Sequence, residues 1–196
     1  QLFWSDWGAR PKIERSNLLG GDRQIILDKV VAKPQGLTID YSNDRLYWTD
    51  AHKCTIESAN LDGSGHSVLH VVEDSTLFGI ALYGNYMFVT DKKYGRLEVY
   101  TEKVKIKAFT LGGEPWDILM YDNSSQPGMS NLCADKNCEQ LCVYDTVAKD
   151  AACLCGEGYV KEDAESKSCK PSQKFVHPSH FYAIGDSICH YPANMA

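Results

Sequence analysis

One tetrapeptide, met three times at a near-constant interval, constrains this chain more than any other feature. Phe3-Trp4-Ser5-Asp6 returns as Tyr47-Trp48-Thr49-Asp50 and again as Phe88-Val89-Thr90-Asp91, the starts lying 44 and 41 residues apart. The third copy has Val89 where the others have Trp and keeps an apolar side chain there. A single copy would say little. Recurrence at one period means one supersecondary unit repeated, each unit burying its apolar surface against the next.

Other residues keep the same phase. Pro34-Gln35-Gly36-Leu37-Thr38-Ile39-Asp40 precedes the second motif, and Leu77-Phe78-Gly79-Ile80-Ala81-Leu82 precedes the third. Ile13, Ile56 and Leu97 each open an alternation such as Ile56-Glu57-Ser58-Ala59-Asn60-Leu61. Period two marks a strand with one wet face. Asp62-Gly63-Ser64-Gly65 supplies a tight turn, because Asp-Gly accepts positive φ, and Val68-Leu69-His70-Val71-Val72 follows as an outer strand. One unit thus reads as four strands, over 36–40, 45–50, 54–61 and 66–72. Forty-odd residues with four short strands per unit is the signature of a β-propeller blade. Residues 1–121 are therefore expected to be antiparallel, four-stranded blades without helix, with Trp116–Tyr121 as the last strand.

These residues resemble the YWTD propeller of the low-density lipoprotein receptor family. The resemblance is carried by Tyr47-Trp48-Thr49-Asp50, by Pro34 and Gly36 ahead of it, and by Ile56 through Leu61-Asp62-Gly63-Ser64 after it. It implies an all-β fold with six blades to a ring, of which this chain supplies about three. It implies that the motif aromatics pack between blades, and that Thr49 and the aspartates Asp6, Asp50 and Asp91 tie neighbouring blades by hydrogen bonds. An open arc would leave Phe3, Trp4 and Trp7 facing water.

Eight cysteines make the second pattern, six of them clustered as C-x4-C-x3-C-x10-C-x-C-x13-C from Cys133 to Cys169. Six cysteines can pair in many ways. A zinc site on Cys153-x-Cys155 is the rival reading, disfavoured by a spacing shorter than zinc knuckles use. With Gly156 and Gly158-Tyr159, the cluster resembles an EGF-like module. That resemblance implies the bridges Cys133–Cys142, Cys138–Cys153 and Cys155–Cys169, which would hold a module too small to bury a core of its own. EGF-like calcium sites draw on carboxylates ahead of the first cysteine. Residues 128–132 offer none, so no calcium or other cofactor is expected. The domain reading is propeller blades over 1–127, an EGF-like module over 128–170, and over 171–196 a linker with the first strands of a following propeller, at His180–Ile184 and Ser187–Tyr191. Cys54 is expected as a free thiol buried in an inner strand, with Cys189 left over.

The net charge of −6 argues against a nucleic-acid or anionic-lipid surface. Dense cysteines place the chain in an oxidising compartment. No apolar run is long enough for direct membrane insertion by this segment, and Gln1-Leu2-Phe3-Trp4 opens as a strand rather than a signal peptide. Asn123-Ser124-Ser125 is a glycosylation sequon.

No histidine lies in a nucleophile elbow or a metal-spaced pair, and there is no glycine-rich phosphate loop, so an enzyme is not expected. The turns after the motifs, 51–53 and 92–94, bring Lys53, Lys92 and Lys93 to one side with His52 beside them. These four are the candidate partner-binding and pH-sensing residues. Two functions fit the resemblance. One is the extracellular part of a single-pass, cell-surface or endosomal endocytic receptor that binds protein cargo, or its own ligand-binding repeats, with acid-dependent release. The alternative is a protein-docking propeller of a signalling co-receptor or matrix protein, of the Wnt co-receptor or nidogen kind.

Overall fold

The computed structural model describes residues 1–122, 131–145 and 148–172, with the backbone of 180–184 and 187–191. Two compact units divide the chain, Gln1–Ser130 and Asn131–Ala196. Every regular element among the described residues is a strand, and none of their helices is long and apolar enough to cross a membrane, there being no helix.

The first unit is three antiparallel sheets laid along the chain. The first joins β1 (Leu2–Asp6), β2 (Lys12–Ser16) and β3 (Gln24–Leu27). The second joins β4 (Pro34–Asp40), β5 (Arg45–Asp50), β6 (Thr55–Asn60) and β7 (Ser67–Val71), close to the four strands read from the sequence. The third joins β8 (Leu77–Tyr83), β9 (Tyr86–Asp91), β10 (Arg96–Tyr100) and β11 (Lys105–Thr110). The three motif copies fill β1, β5 and β9.

Three expectations need correction. The first sheet has three strands, not four, because no inner strand pairs with β1. Trp116–Tyr121 forms no strand. Trp116 O accepts from Gly79 N at 3.1 Å and from Thr90 Oγ1 at 2.7 Å, but no ladder of backbone pairs continues from there. Phe3 and Trp4 are half-buried; only Trp7 is open to water, at 55% exposure. Trp4 is held by its indole N–H, which donates to Glu14 at 3.2 Å, and by Arg23 over its ring.

The core sits between sheets. Ile13, Leu27, Val31, Leu46, Trp48 and Ala59 form one buried cluster where the first and second sheets meet. Tyr47, Ile56, Leu77, Ile80, Met87, Val89 and Tyr100 form another where the second meets the third. Successive side chains of a strand point to opposite faces, so β5 sends Leu46 and Trp48 one way and Tyr47 the other. Both faces of the middle sheet are thereby covered. Close approach of neighbouring inner strands needs glycine: a Cβ on Gly36 would lie 2.4 Å from Phe78 O, and one on Gly79 2.8 Å from Asp117 Cα.

The second unit holds three hairpins: β12 (Leu141–Asp145) with β13 (Asp150–Leu154), β14 (Tyr159–Lys161) with β15 (Cys169–Pro171), and β16 (His180–Ile184) with β17 (Ser187–Tyr191). Disulfides join Cys133 to Cys142, Cys138 to Cys153 and Cys155 to Cys169, at Cα separations of 5.9, 5.3 and 5.7 Å. All three separations fall in the range an unstrained bridge takes.

Candidate protein-docking site

The motif side chains build the frame on which the surface turns are mounted. The third motif residue donates to the next inner segment each time: Ser5 Oγ to Gln35 O at 2.9 Å, Thr49 Oγ1 to Phe78 O at 2.5 Å, Thr90 Oγ1 to Trp116 O at 2.7 Å. The hydroxyl is thus the tie between blades. The aspartate organises its own blade. Asp50, fully buried, accepts from the backbone N–H groups of Ala32, Lys33, His52 and Lys53. Asp91 accepts from Thr76, Lys93 and Tyr94 N–H groups. A carboxylate meeting several N–H donors fixes both the turn after the motif and the lead-in to the blade. Asp6 accepts from Gly8 N alone at 2.9 Å, with Lys12 Nζ at 3.7 Å.

A second repeat, unannounced by the motif, lies beneath these turns. Glu14, Glu57 and Glu98 occupy the same position in β2, β6 and β10, and all are buried. Each faces the motif's second residue across the ladder, as Trp4↔Glu14, Trp48↔Glu57 and Val89↔Glu98. Each carboxylate has a cation. Arg23 grips Glu14 with two bonds, at 3.0 and 2.8 Å. That guanidinium holds the Glu14 carboxyl below its ordinary value. Lys105 reaches Glu98 at 2.6 Å. Glu57 takes Lys53, Thr55 Oγ1 and, at 2.6 Å, His66 Nε2. The buried indole N–H of Trp48 has no hydrogen-bond partner among the described residues.

The signal for these glutamates was in the sequence, as Ile13-Glu14, Ile56-Glu57 and Leu97-Glu98, 43 and 41 residues apart. Period two assigned them to a wet face. In the second and third sheets that face meets the neighbouring sheet, and in the first Trp4 and Arg23 cover it, so each carboxylate is buried with its partner.

The four candidate surface residues part company. Lys53 turns inward, to Glu57 and to Val30 O at 2.8 Å. Lys93 pairs with Asp74, which also accepts from Tyr94 Oη at 2.7 Å. The Lys93 ammonium holds the Asp74 carboxyl below its ordinary value, and Asp74 in turn raises the Tyr94 phenol. His52 stays exposed in its turn. Lys92 lies over Trp116, 3.0 Å from the ring centroid, with Phe78 5.5 Å away. Lys33 covers Trp7 in the same manner at 4.6 Å. Both indoles remain 55% exposed, so two lysine-on-tryptophan pairs stand at the end of the blades where the motif turns sit. Trp7 follows the first motif directly, and Lys33 and Trp116 flank the in-phase prolines Pro34 and Pro115. Nothing in the sequence alone paired them.

Among the other histidines, His70 Nε2 lies 2.6 Å from Thr101 O, with its ring tilted on Tyr100. Cys54 is a free, half-buried thiol. It closes the β5–β6 turn rather than lying in an inner strand, because it takes the left-handed φ of 55° that Gly95 takes in the next repeat, at 59°. Asn123 and residues 128–130 lie outside the described residues, as do the side chains of His177, His180, Cys189 and His190.

Comparison with known proteins gives this geometry its relatives. Residues 1–41 match the family model "Low-density lipoprotein receptor repeat class B". The chain is 28% identical over 182 residues to the vitellogenin receptor of Solenopsis invicta, covering 90% of this chain and 10% of that protein. It is 33% identical over 188 residues to low-density lipoprotein receptor-related protein 5 of Mus musculus, covering 93% and 11%. The chain therefore spans about a tenth of the length of these curated relatives. Among solved structures, the nidogen/laminin complex contains a chain that superposes with a TM-score of 0.53 at 27% identity, over 59% of this chain and 45% of that one. A gluconolactonase from Xanthomonas campestris superposes with a TM-score of 0.50 at 16% identity, over 60% and 40%, and shows the fold alone.

Proposed function

We propose, for a chain that carries low-density lipoprotein receptor class B repeats, that it is an extracellular segment of an endocytic receptor and docks protein on the end of its blades where the motif turns sit. The ligand is protein cargo or the receptor's own acidic ligand-binding repeats. The observation that carries this reading is the pair of exposed tryptophans, each under a lysine. An aromatic face with a fixed ammonium offers apolar area and a positive field at one point, which suits a partner bearing carboxylates beside apolar side chains. Charge of this kind raises the association rate and sets orientation more than it deepens affinity. The match to a vitellogenin receptor supports the endocytic reading. The receptor relatives support binding rather than catalysis.

His52 stands in the turn next to this end. Histidine gains its charge on acidification across about pH 8 to 5. Docking of an acidic partner is therefore expected to strengthen in acid and to weaken with salt. The test is surface plasmon resonance between this chain and the ligand-binding repeats of its own receptor, at about pH 7.4 and about pH 5.5. The reading requires that Lys92→Ala weaken binding at both pH values and that His52→Ala remove the acid enhancement. Binding untouched by Lys92→Ala overturns the site.

A second reading has its own support. Low-density lipoprotein receptor-related protein 5 and the nidogen/laminin complex both match, and they suit a propeller that docks a signalling or matrix partner. Affinity that depends on Lys92 and ignores both pH and His52 would favour it.

A further inference from the structure

The first and third sheets close the row of three at either side, and each lacks what the other offers. We propose that two copies of this chain join head to tail, residues 116–121 of each serving as the inner strand of the other's first sheet, so that their blades close one ring.

The repeat itself identifies the strand and its place. The third motif residue donates in turn to Gln35 O, Phe78 O and Trp116 O. Gln35 and Phe78 lie near the start of β4 and β8, the inner strands of the second and third sheets. Trp116 therefore holds the place where an inner strand begins. A Cβ on Gly36 would meet Phe78 O and Gly79 Cα, and one on Gly79 would meet Asp117 Cα. Residues 116–118 thus lie beside β8 as β8 lies beside β4. In the same phase, Ile118, Leu119 and Met120 match Leu37, Thr38 and Ile39, which pair with Trp48, Tyr47 and Leu46. Leu119 and Tyr121 stand 82% and 99% exposed. At the other side of the row, β1 is the edge of its sheet. An unpaired edge is a template for a strand from another chain. Carried over, the register sets Ile118 opposite Trp4, Leu119 opposite Phe3 and Met120 opposite Leu2 of the other copy.

The sheet faces agree with the edges. Ile13 and Leu27, paired in β2 and β3, pack on Trp48 of the next sheet. Ile56 packs likewise on Val89 and Tyr100. In the third sheet the matching pair is Leu97 and Phe109, and Phe109 is 43% exposed. In the first sheet the matching target is Trp4, half-buried on the wall of a cavity that Trp7 and Asp6 also line. One open face thus repeats the side that covers at each internal interface, and the other repeats the side that is covered. Copies joined head to tail satisfy both at once. Such contacts give a closed ring where the rotation closes and a filament where it does not. Propellers close with about four to eight blades. With three sheets in each copy, a ring of that size takes two copies.

The test is sedimentation of the whole chain over a concentration series, with circular dichroism as the control for folded blades. The unchanged chain should sediment at twice its monomer mass. Leu119→Pro combined with Met120→Pro should leave it monomeric. Successive residues of a strand turn their N–H groups to opposite edges, so one of the two lost donors belongs to the ladder with β1. Both positions lie outside every sheet described, so the strand signal should persist. Phe109→Asp should weaken association about tenfold by placing a charge in an apolar contact. The register has its own arm. Phe3→Cys combined with Leu119→Cys, oxidised in an equal mixture of plain and isotope-labelled chains, should yield a bridge from position 3 to position 119 that joins a plain peptide to a labelled one. A chain that stays monomeric overturns the proposal, as do an open-ended series of oligomers, a dimer that survives the paired prolines, and a bridge formed only within single copies.

Discussion

The two units of this chain solve the same problem with different means. In the first, three sheets bury two apolar clusters and set three glutamates beneath the surface, each against a cation. In the second, Ala151 is the one buried apolar residue among those described, while three disulfides close loops 9, 15 and 14 residues apart in sequence. A short segment cannot remove enough surface from water to offset the entropy of ordering itself. Crosslinks act on that entropy directly, by restricting the unfolded chain. The first unit is thus held by what it buries, and the second by what it cannot become.

The strongest way to break this contrast is reduction. Dithiothreitol should unfold the second unit, since losing a native bridge from a small module costs about 2–5 kcal/mol. The first unit should keep its signals, because its one described cysteine, Cys54, is a free thiol. NMR of the reduced chain reads both at once; a first unit that collapsed together with the second would show that burial alone does not hold it.

The converse strike is Trp48→Ala. Trp48 is fully buried between the first and second sheets, and loss of a core aromatic costs about 3–5 kcal/mol. Urea unfolding followed by near-ultraviolet circular dichroism should lose that amount, while the three bridges remain intact by non-reducing peptide mapping.

How far the sequence foretold this architecture depends on which neighbour decided the outcome. The strands of the second blade were legible nearly to the residue, because period-two alternation and Asp-Gly turns are local. The tie from Thr49 was implied by the motif, whereas Asp50, expected to tie neighbouring blades, instead binds the lead-in and the turn of its own. Lys53 was read as a surface charge, and Glu57, four residues on, draws it inside. Glu14, Glu57 and Glu98 were read as wet because alternation tells one face from the other and cannot tell what covers each. Trp116–Tyr121 was expected as the last strand, but a strand also needs a partner's backbone, which one segment cannot supply. Contacts across tens of residues, such as Lys92 on Trp116, have no local trace at all.

The aspartates sharpen the comparison within the first unit. Asp50→Ala leaves four backbone N–H donors around a buried position without their acceptor, whereas Asp6→Ala frees Gly8 N alone. Bonds to a charged acceptor contribute about 1.5–3 kcal/mol each when truncation leaves the donor buried. Asp50→Ala should therefore destabilise by at least about 2 kcal/mol and Asp6→Ala by less than about 1 kcal/mol. Equal losses in parallel urea titrations would show that the motif aspartate acts by something other than its N–H partners.

The smallest effect expected is a pH dependence confined to the first unit. Arg23 holds the folded Glu14 carboxyl below its ordinary value. A lowered folded value means the unfolded chain binds the proton more readily. Stability from this pair is then fully present above the ordinary glutamate range, near pH 4.3 or about that, and is lost as pH falls through the folded value. Protonation would leave Arg23 without its counter-charge and the Trp4 indole with a weaker acceptor. The second unit has its own lowered carboxyl in Asp150, paired with Lys136 at 2.6 Å, but the bridges hold that hairpin whatever its charge. Hydrogen exchange between neutral pH and acid should accordingly show Leu2–Asp6 and Lys12–Ser16 losing protection first, and Leu141–Asp145 keeping it. Glu14→Gln should flatten the dependence in β1 and β2 at the cost of lower protection near neutrality. If Glu14→Gln leaves the acid profile of those strands as it was, the buried carboxylates are not what sets the first unit's response to pH.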